Sequence, residues 1–327
     1  MPRRAGWEGP TYYGRSQLKA APFNIWIVGG YIFLAGLSGS SALISSLAEN
    51  ANGRRGEGVG RRGRYLSMLA PTIGSVLLIW DLHTPQRFYN MFRIAKSTSP
   101  MSIGTYILSA FMSSSGLGFA AQLAADFIPG MGWARRVAKL TAAPSALSGA
   151  GLSTYTPALL SATSNPYWAC SPRTLAVRLS ASAVASGAAA LSIGERSPAI
   201  KATLQTVCAA ALATELAATL VSHKVVEEKG VGEALKGKWG KAEAAYVMGA
   251  GVLFPLGVYV LTRLSGRRLN ALSDFAAIAT VAGSGLLRVS TLGIGDESAS
   301  RPEISFRFSQ PENLPPPKRA RRISRRR

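Results

Sequence analysis

The chain has 327 residues, 47% of them apolar, and carries 37 Lys and Arg against 16 Asp and Glu, a net charge of +21. An apolar share of this size is ordinary, so the placement of the charges must separate the two classes that a basic chain suggests, nucleic-acid binders and membrane proteins. Two Cys exclude a disulfide scaffold and a Cys-ligated zinc or iron–sulfur centre, and two His exclude His-rich metal chemistry.

The charges are segregated. None occurs over 20–48, 97–125 or 140–172, and a membrane helix needs about 20 mostly apolar residues. A nucleic-acid binder does not collect its neutral residues in helix-length blocks. The predicted class is an all-α, polytopic membrane helix bundle with eight transmembrane spans, at 22–48, 64–83, 102–128, 140–164, 174–194, 199–222, 244–264 and 269–290. Residues 1–21 form an interfacial segment and 22–294 the transmembrane domain.

In chain order, the first span contains Tyr31 and the small-residue run Ala35-Gly36-Leu37-Ser38-Gly39-Ser40, which lets helix backbones approach closely in lipid. It is longer than a leader's apolar core and is followed by no clear small-residue cleavage site. A basic loop follows, with Arg54, Arg55, Arg61, Arg62 and Arg64. The second span ends in Asp81 and His83, and Pro85 and Pro100 stop helix continuation around the next loop. That loop carries Arg87, Phe88, Tyr89, Phe92 and Arg93, groups suited to a headgroup boundary or a protein partner. Tyr106 lies near the start of the third span, Tyr155 in the later half of the fourth and Arg178 one turn into the fifth. Arg178 is placed to snorkel to the surface. Glu215 sits among Ala and Leu in the sixth span, and His223 at its end. Residues 295–327, rich in Ser, Pro and Arg, form a disordered basic tail held near anionic headgroups.

An even span number puts both termini on one face, face A. The Lys and Arg excess on face A comes from the tail, and the positive-inside rule then places that face in the cytoplasm. Because span direction alternates, Asp81, His83, Tyr106, Tyr155, Arg178, Glu215 and His223 all fall in the bilayer half next to face A. Ionisable groups inside spans are costly and functional by default. Each also has a structural alternative: Asp81 paired with Arg87 as a lock, His83 as a helix cap, Glu215 protonated and bonded to a neighbouring helix. Glu49, Asp126, Glu195 and Asp274 stand at span ends on the opposite face B and read as boundary residues. The two His lie beside loops rather than along facing helices, which argues against haem, and Cys170 and Cys208 read as inert.

The run Asp81-Leu82-His83-Thr84-Pro85-Gln86-Arg87-Phe88-Tyr89, followed by Ser97-Thr98-Ser99-Pro100-Met101-Ser102-Ile103-Gly104, resembles the NrfD/PsrC family, the membrane subunits of polysulfide reductase and formate-dependent nitrite reductase. The segments 31–43 and 155–168, the latter ending Asn165-Pro166-Tyr167-Trp168, are similar to that family's first helix and the end of its fourth. The resemblance is specific over about 11–170 and rests on span number beyond. It implies a haem-free, metal-free subunit in the bacterial cytoplasmic membrane that binds quinone, menaquinone or ubiquinone, among the first four helices. It implies a partner iron–sulfur subunit on face A, often with a molybdopterin subunit beyond, surrounding lipid and no nucleic acid. The partner complex, not this chain alone, would act on the terminal substrate. Tyr155 matches the family's quinone-ligating Tyr, while Tyr31 stands where some members have His. Tyr155, Tyr31, Arg87 and Tyr106 are then the expected quinone pocket, and Asp81, His83 and Glu215 the expected proton relay. Two other classes stay open: a secondary transporter or proton channel, suggested by Glu215 although no repeat relates the halves, and a structural anchor without quinone chemistry.

Overall fold

The structure, a computed structural model, describes residues 17–19, 21–82, 84–93, 95–265 and 270–313. Asn24 starts the first helix: its side chain accepts hydrogen bonds from the backbone N–H of Trp26 (2.9 Å) and Ile27 (3.3 Å), satisfying donors that a helix N-terminus leaves orphaned. Helix α1 (Ile25–Asn52) ends at Gly53, whose φ of 55° lies in the left-handed region open to glycine. A 3-10 turn (Gly53–Gly56) then feeds α2 (Glu57–Trp80), which folds back antiparallel on α1, with Gly63 against Ser45 and Gly74 against Leu34 and Tyr31.

A 3-10 segment (Pro85–Phe92) leads to α3 (Pro100–Phe127), which has proline at its first position and is capped by the Ser99 side chain. The chain continues through α4 (Ala134–Leu140), α5 (Ala142–Ser161), the short α6 (Pro166–Cys170), α7 (Pro172–Ser192), α8 (Pro198–Glu228) and α9 (Lys238–Ala242). A π-helix (Glu243–Leu253) runs into α10 (Phe254–Ser265), and α11 (Asn270–Ser300) and α12 (Pro302–Phe308) close the bundle. Among the described residues there is no strand.

Among the described residues, six stretches are long and apolar enough to cross a membrane: Ile25–Trp80, Pro100–Phe127, Pro172–Ser192, Pro198–Glu228, Lys238–Ser265 and Asn270–Ser300. The chain is a multi-pass membrane protein. The sequence predicts eight spans, and the difference has two physical sources. The first stretch contains both α1 and α2, joined without a break by the 3-10 turn. Helix α5, 20 residues long and interrupted by Ser, Thr, Gly and Pro, is not among the six.

Packing is set by small residues. A Cβ added to Gly39 of α1 would overlap the Gly149 carbonyl and Ser153 Oγ of α5, so the two backbones meet with nothing between them. Overpacking such a contact costs roughly 1–3 kcal/mol. Gly39→Val is therefore expected to lower the unfolding free energy in detergent by that order, and an unchanged thermal midpoint would contradict this packing.

Face B, the end where α1 finishes, is held by three arginines of α2. Arg61 pairs with Asp126 (2.8 Å), Arg64 with Glu49 (2.9 Å), and Arg62 with Glu195. Lys201 of α8 pairs with Asp274 of α11 (2.7 Å). The acidic groups that read as boundary residues are thus pinning points, and one basic run ties α2 to α1, to α3 and to the chain just after α7. The Glu49–Arg64 pair is buried, and Arg64 Nε also donates to the Ala138 carbonyl.

The helical structure runs on past residue 294, the expected end of the transmembrane domain. Helix α11 continues to Ser300, because Ser298 is buried and its hydroxyl donates to Asn165 Oδ1 (2.9 Å), while Asp296 Oδ1 accepts from the Ala21 N–H (3.1 Å). Helix α12 then buries Ile304, and Asn313 donates to the Lys229 carbonyl (3.3 Å). The rest of the expected disordered tail, 314–327, and residues 1–16 of the N-terminal segment lie outside the described residues.

Candidate functional site

Two polar clusters lie toward face A, the end where α1 begins. The first joins α1, α2, α3 and α5. Asp81 terminates α2, and its Oδ1 accepts from the Asn24 N–H (3.3 Å) at the start of α1. Among the described residues it forms no ion pair with Arg87, which is exposed on the 3-10 segment, so the alternative of a lock between them is not seen. Tyr31, one turn and a half into α1, lies within electrostatic range of both Asp81 and the Tyr155 phenol. Tyr31 and Tyr155 are half-buried.

Tyr155 is positioned by α3. Its ring lies directly against Gly104, where a Cβ would overlap the phenol carbons and oxygen. The glycine of the Ser-Pro-Met-Ser-Ile-Gly run therefore has a physical role as the floor under Tyr155. Among the described residues neither the Tyr31 nor the Tyr155 hydroxyl has a hydrogen-bond partner. Half-buried hydroxyls without protein partners suit a ligand that offers oxygen acceptors.

Tyr106 stands apart from this cluster. It is exposed on the lipid side of α3, and its hydroxyl donates to the Phe92 carbonyl (3.2 Å), fastening the 3-10 segment. It lines an open groove of about 810 Å³ between α3 and α5 that reaches Gly151, one turn before Tyr155. His83 lies outside the described residues.

The second cluster is in α7, α8, the π-helix and α11. Arg178 does not snorkel. It is fully buried and pairs with Glu243 at 2.7 Å, and its Nη1 donates to the Tyr167 hydroxyl (3.2 Å). Glu243, 1% exposed, also meets His223 Nε2 (3.3 Å) and accepts from Ser290 Oγ (3.2 Å). Arg288 of α11, also buried, donates to Ser182 Oγ (2.8 Å), to Ser284 Oγ (2.6 Å) and to the Leu179 carbonyl (2.9 Å). Glu215 is 2% exposed and interacts electrostatically with Arg288 and Arg178. Two carboxyl groups and two guanidiniums are thus gathered inside the bundle, where buried charges need partners.

Sequence reasoning missed Glu243 and Arg288. The signal was weak: Glu243 immediately precedes the expected seventh span, and Arg288 falls near the end of the eighth, where a cation looks like an anchor. Only the packing of α11 against both the π-helix and α7 makes both interior. The Asn165-Pro166-Tyr167-Trp168 run supports the same region. Asn165 caps α6 and donates to the Gly295 carbonyl (2.7 Å), and Trp168 Nε1 donates to the Thr291 carbonyl (2.9 Å). Among the described residues no group of three or more His, Cys, Asp or Glu side chains is arranged to hold a metal ion.

The family model described as polysulphide reductase, NrfD, matches residues 16–295. No curated protein matches the chain.

Proposed function

From membership of the polysulphide reductase NrfD family, to which this chain belongs, we propose that it is the quinone-reactive membrane subunit of a respiratory oxidoreductase complex and exchanges electrons with a partner iron–sulfur subunit. The family consists of membrane subunits of such complexes. We place it in the bacterial cytoplasmic membrane with eight crossings. At about 1.5 Å per residue, the 28 residues of α1, the 24 of α2 and the 20 of α5 are each long enough for a hydrocarbon core.

The observation that carries the reading is the convergence of Tyr31, Tyr155 and Asp81, with both phenol hydroxyls lacking partners among the described residues. These residues fit a quinone ring: two hydroxyl donors and one carboxylate near the membrane boundary. A bound quinol supplies two electrons and two protons. Tyr155 and Tyr31 would each hold a ring oxygen by hydrogen bonding, fixing its position. Asp81, close to face A, would take up or return the proton at that oxygen. Gly104 keeps the Tyr155 ring in place, and the groove beside Tyr106 offers an apolar approach from lipid for an isoprenoid tail. Glu215, Glu243 and His223 extend the relay into the second half of the bundle. Arg87 and the exposed Phe88 and Tyr89 give face A a cationic and aromatic surface for the iron–sulfur partner.

Family membership supports this redox reading over a transporter, and the two half-buried phenols beside Asp81 support it over an inert anchor. In the assembled complex, Asp81→Asn and Tyr155→Phe are each expected to lower quinol-dependent turnover by about 10²-fold, the lower range for a positioned acid–base group, with the subunit still assembled. Unchanged turnover in both variants would mean that the site is elsewhere.

A further inference from the structure

The start of α8, the end of α10 and the start of α11 enclose a second groove, of about 830 Å³, at face B. Its floor is apolar because α8 presents Ala202, Ala209 and Ala210 to it, and alanines leave room that larger side chains would fill. Its mouth is polar. There Lys201 is already neutralised by Asp274 (2.7 Å). Arg263 is not: among the described residues no carboxylate forms an ion pair with it, and its single side-chain hydrogen bond runs from Nη1 to Thr206 Oγ1 (3.0 Å). A guanidinium has five N–H donors, so most of this one's capacity faces the groove and the headgroup layer. Arginine in that layer is matched geometrically by phosphate oxygens.

We propose that this groove binds one anionic phospholipid, with its phosphate on Arg263 and an acyl chain along the alanine floor of α8. From Lys201 to Ala210 the floor runs about 14 Å at 1.5 Å per residue, enough for the upper part of one chain. Charge decides the headgroup class. The cation at the mouth that lacks a carboxylate partner favours a net negative lipid over a zwitterionic one.

The full-length protein, delipidated in detergent and titrated with phosphatidylglycerol or phosphatidylcholine, tests this by native mass spectrometry. The expected result is one phosphatidylglycerol adduct at least tenfold tighter than any phosphatidylcholine adduct. Arg263→Gln, which removes the charge, and Ala210→Leu, which fills the floor and leaves every charge in place, should each weaken that adduct at least fivefold. Arg136→Gln, on exposed α4 at the same face, should leave it unchanged. Equal affinity for the two lipids, an adduct indifferent to Ala210→Leu, a loss as large in Arg136→Gln as in Arg263→Gln, or full displacement by inorganic phosphate would each overturn the proposal.

Discussion

Arg178→Ala is expected to destabilise the protein by about 3–5 kcal/mol, the usual consequence of removing one partner of a buried ion pair. Arg178 is 0% exposed and Glu243 1%, at 2.7 Å. Without the guanidinium, the Glu243 carboxylate keeps, among the described residues, His223 and Ser290 as neighbours that can donate to it. Tyr167 loses its contact with Arg178, and Glu215 loses one of its two guanidinium neighbours. The double variant Arg178→Met with Glu243→Gln removes both charges, and most of the loss should return, because the cost comes from an uncompensated charge rather than from a missing attraction. Denaturant-induced unfolding of the purified protein measures both. A single variant within about 0.5 kcal/mol of the parent, the range of an ordinary surface substitution, would show that the pair does not exist as described.

Gly104→Ala is expected to lower quinol-dependent turnover by about 10²-fold while leaving the bundle folded. The added methyl overlaps the far end of a flexible side chain, the Tyr155 ring. The ring can turn away at little cost in stability, but a displacement of about 1 Å at a reacting group is enough for a loss of that size. Because the variant acts through Tyr155, combining it with Tyr155→Phe should add little further loss, as for neighbouring groups that act as one unit. Turnover in the assembled complex and a thermal midpoint on the same sample separate this outcome from unfolding. Full activity in Gly104→Ala, or additive losses in the double variant, would remove Gly104 from its positioning role.

The residues differ in how much of their role could be read in advance. Asp81, Tyr155 and Gly104 sit in short runs whose Pro, Ser and Gly residues also set the local structure. Helix starts and stops coincide with them, so chemistry and punctuation are legible together. Tyr106 looked equivalent to Tyr155 because both are tyrosines near face A. The structure separates them by helix face: one lies against Gly104, while the other fastens the 3-10 segment to the outside of α3. Arg178 looked like a snorkelling cation because its depth in the span permits it. Its direction depends on α7 facing the π-helix, and a single span's composition contains no information about that.

From the amino-acid order alone came the membrane class, the helical content, the approximate positions of the apolar helices and the family motif. All of these depend on local quantities: hydropathy over about 20 residues, the φ limits of proline and glycine, and capping by side chains a few positions away. The tertiary structure alone decided that Arg61, Arg62 and Arg64 reach three different parts of the bundle, that Glu243 and Arg288 are interior, and that the helical part continues to residue 313. Those outcomes depend on which face of each helix meets which neighbour. Helices built largely of Ala, Gly and Ser have nearly uniform faces, so their rotation is set by where buried charges find partners, over separations in the chain as large as the 133 residues between Arg62 and Glu195.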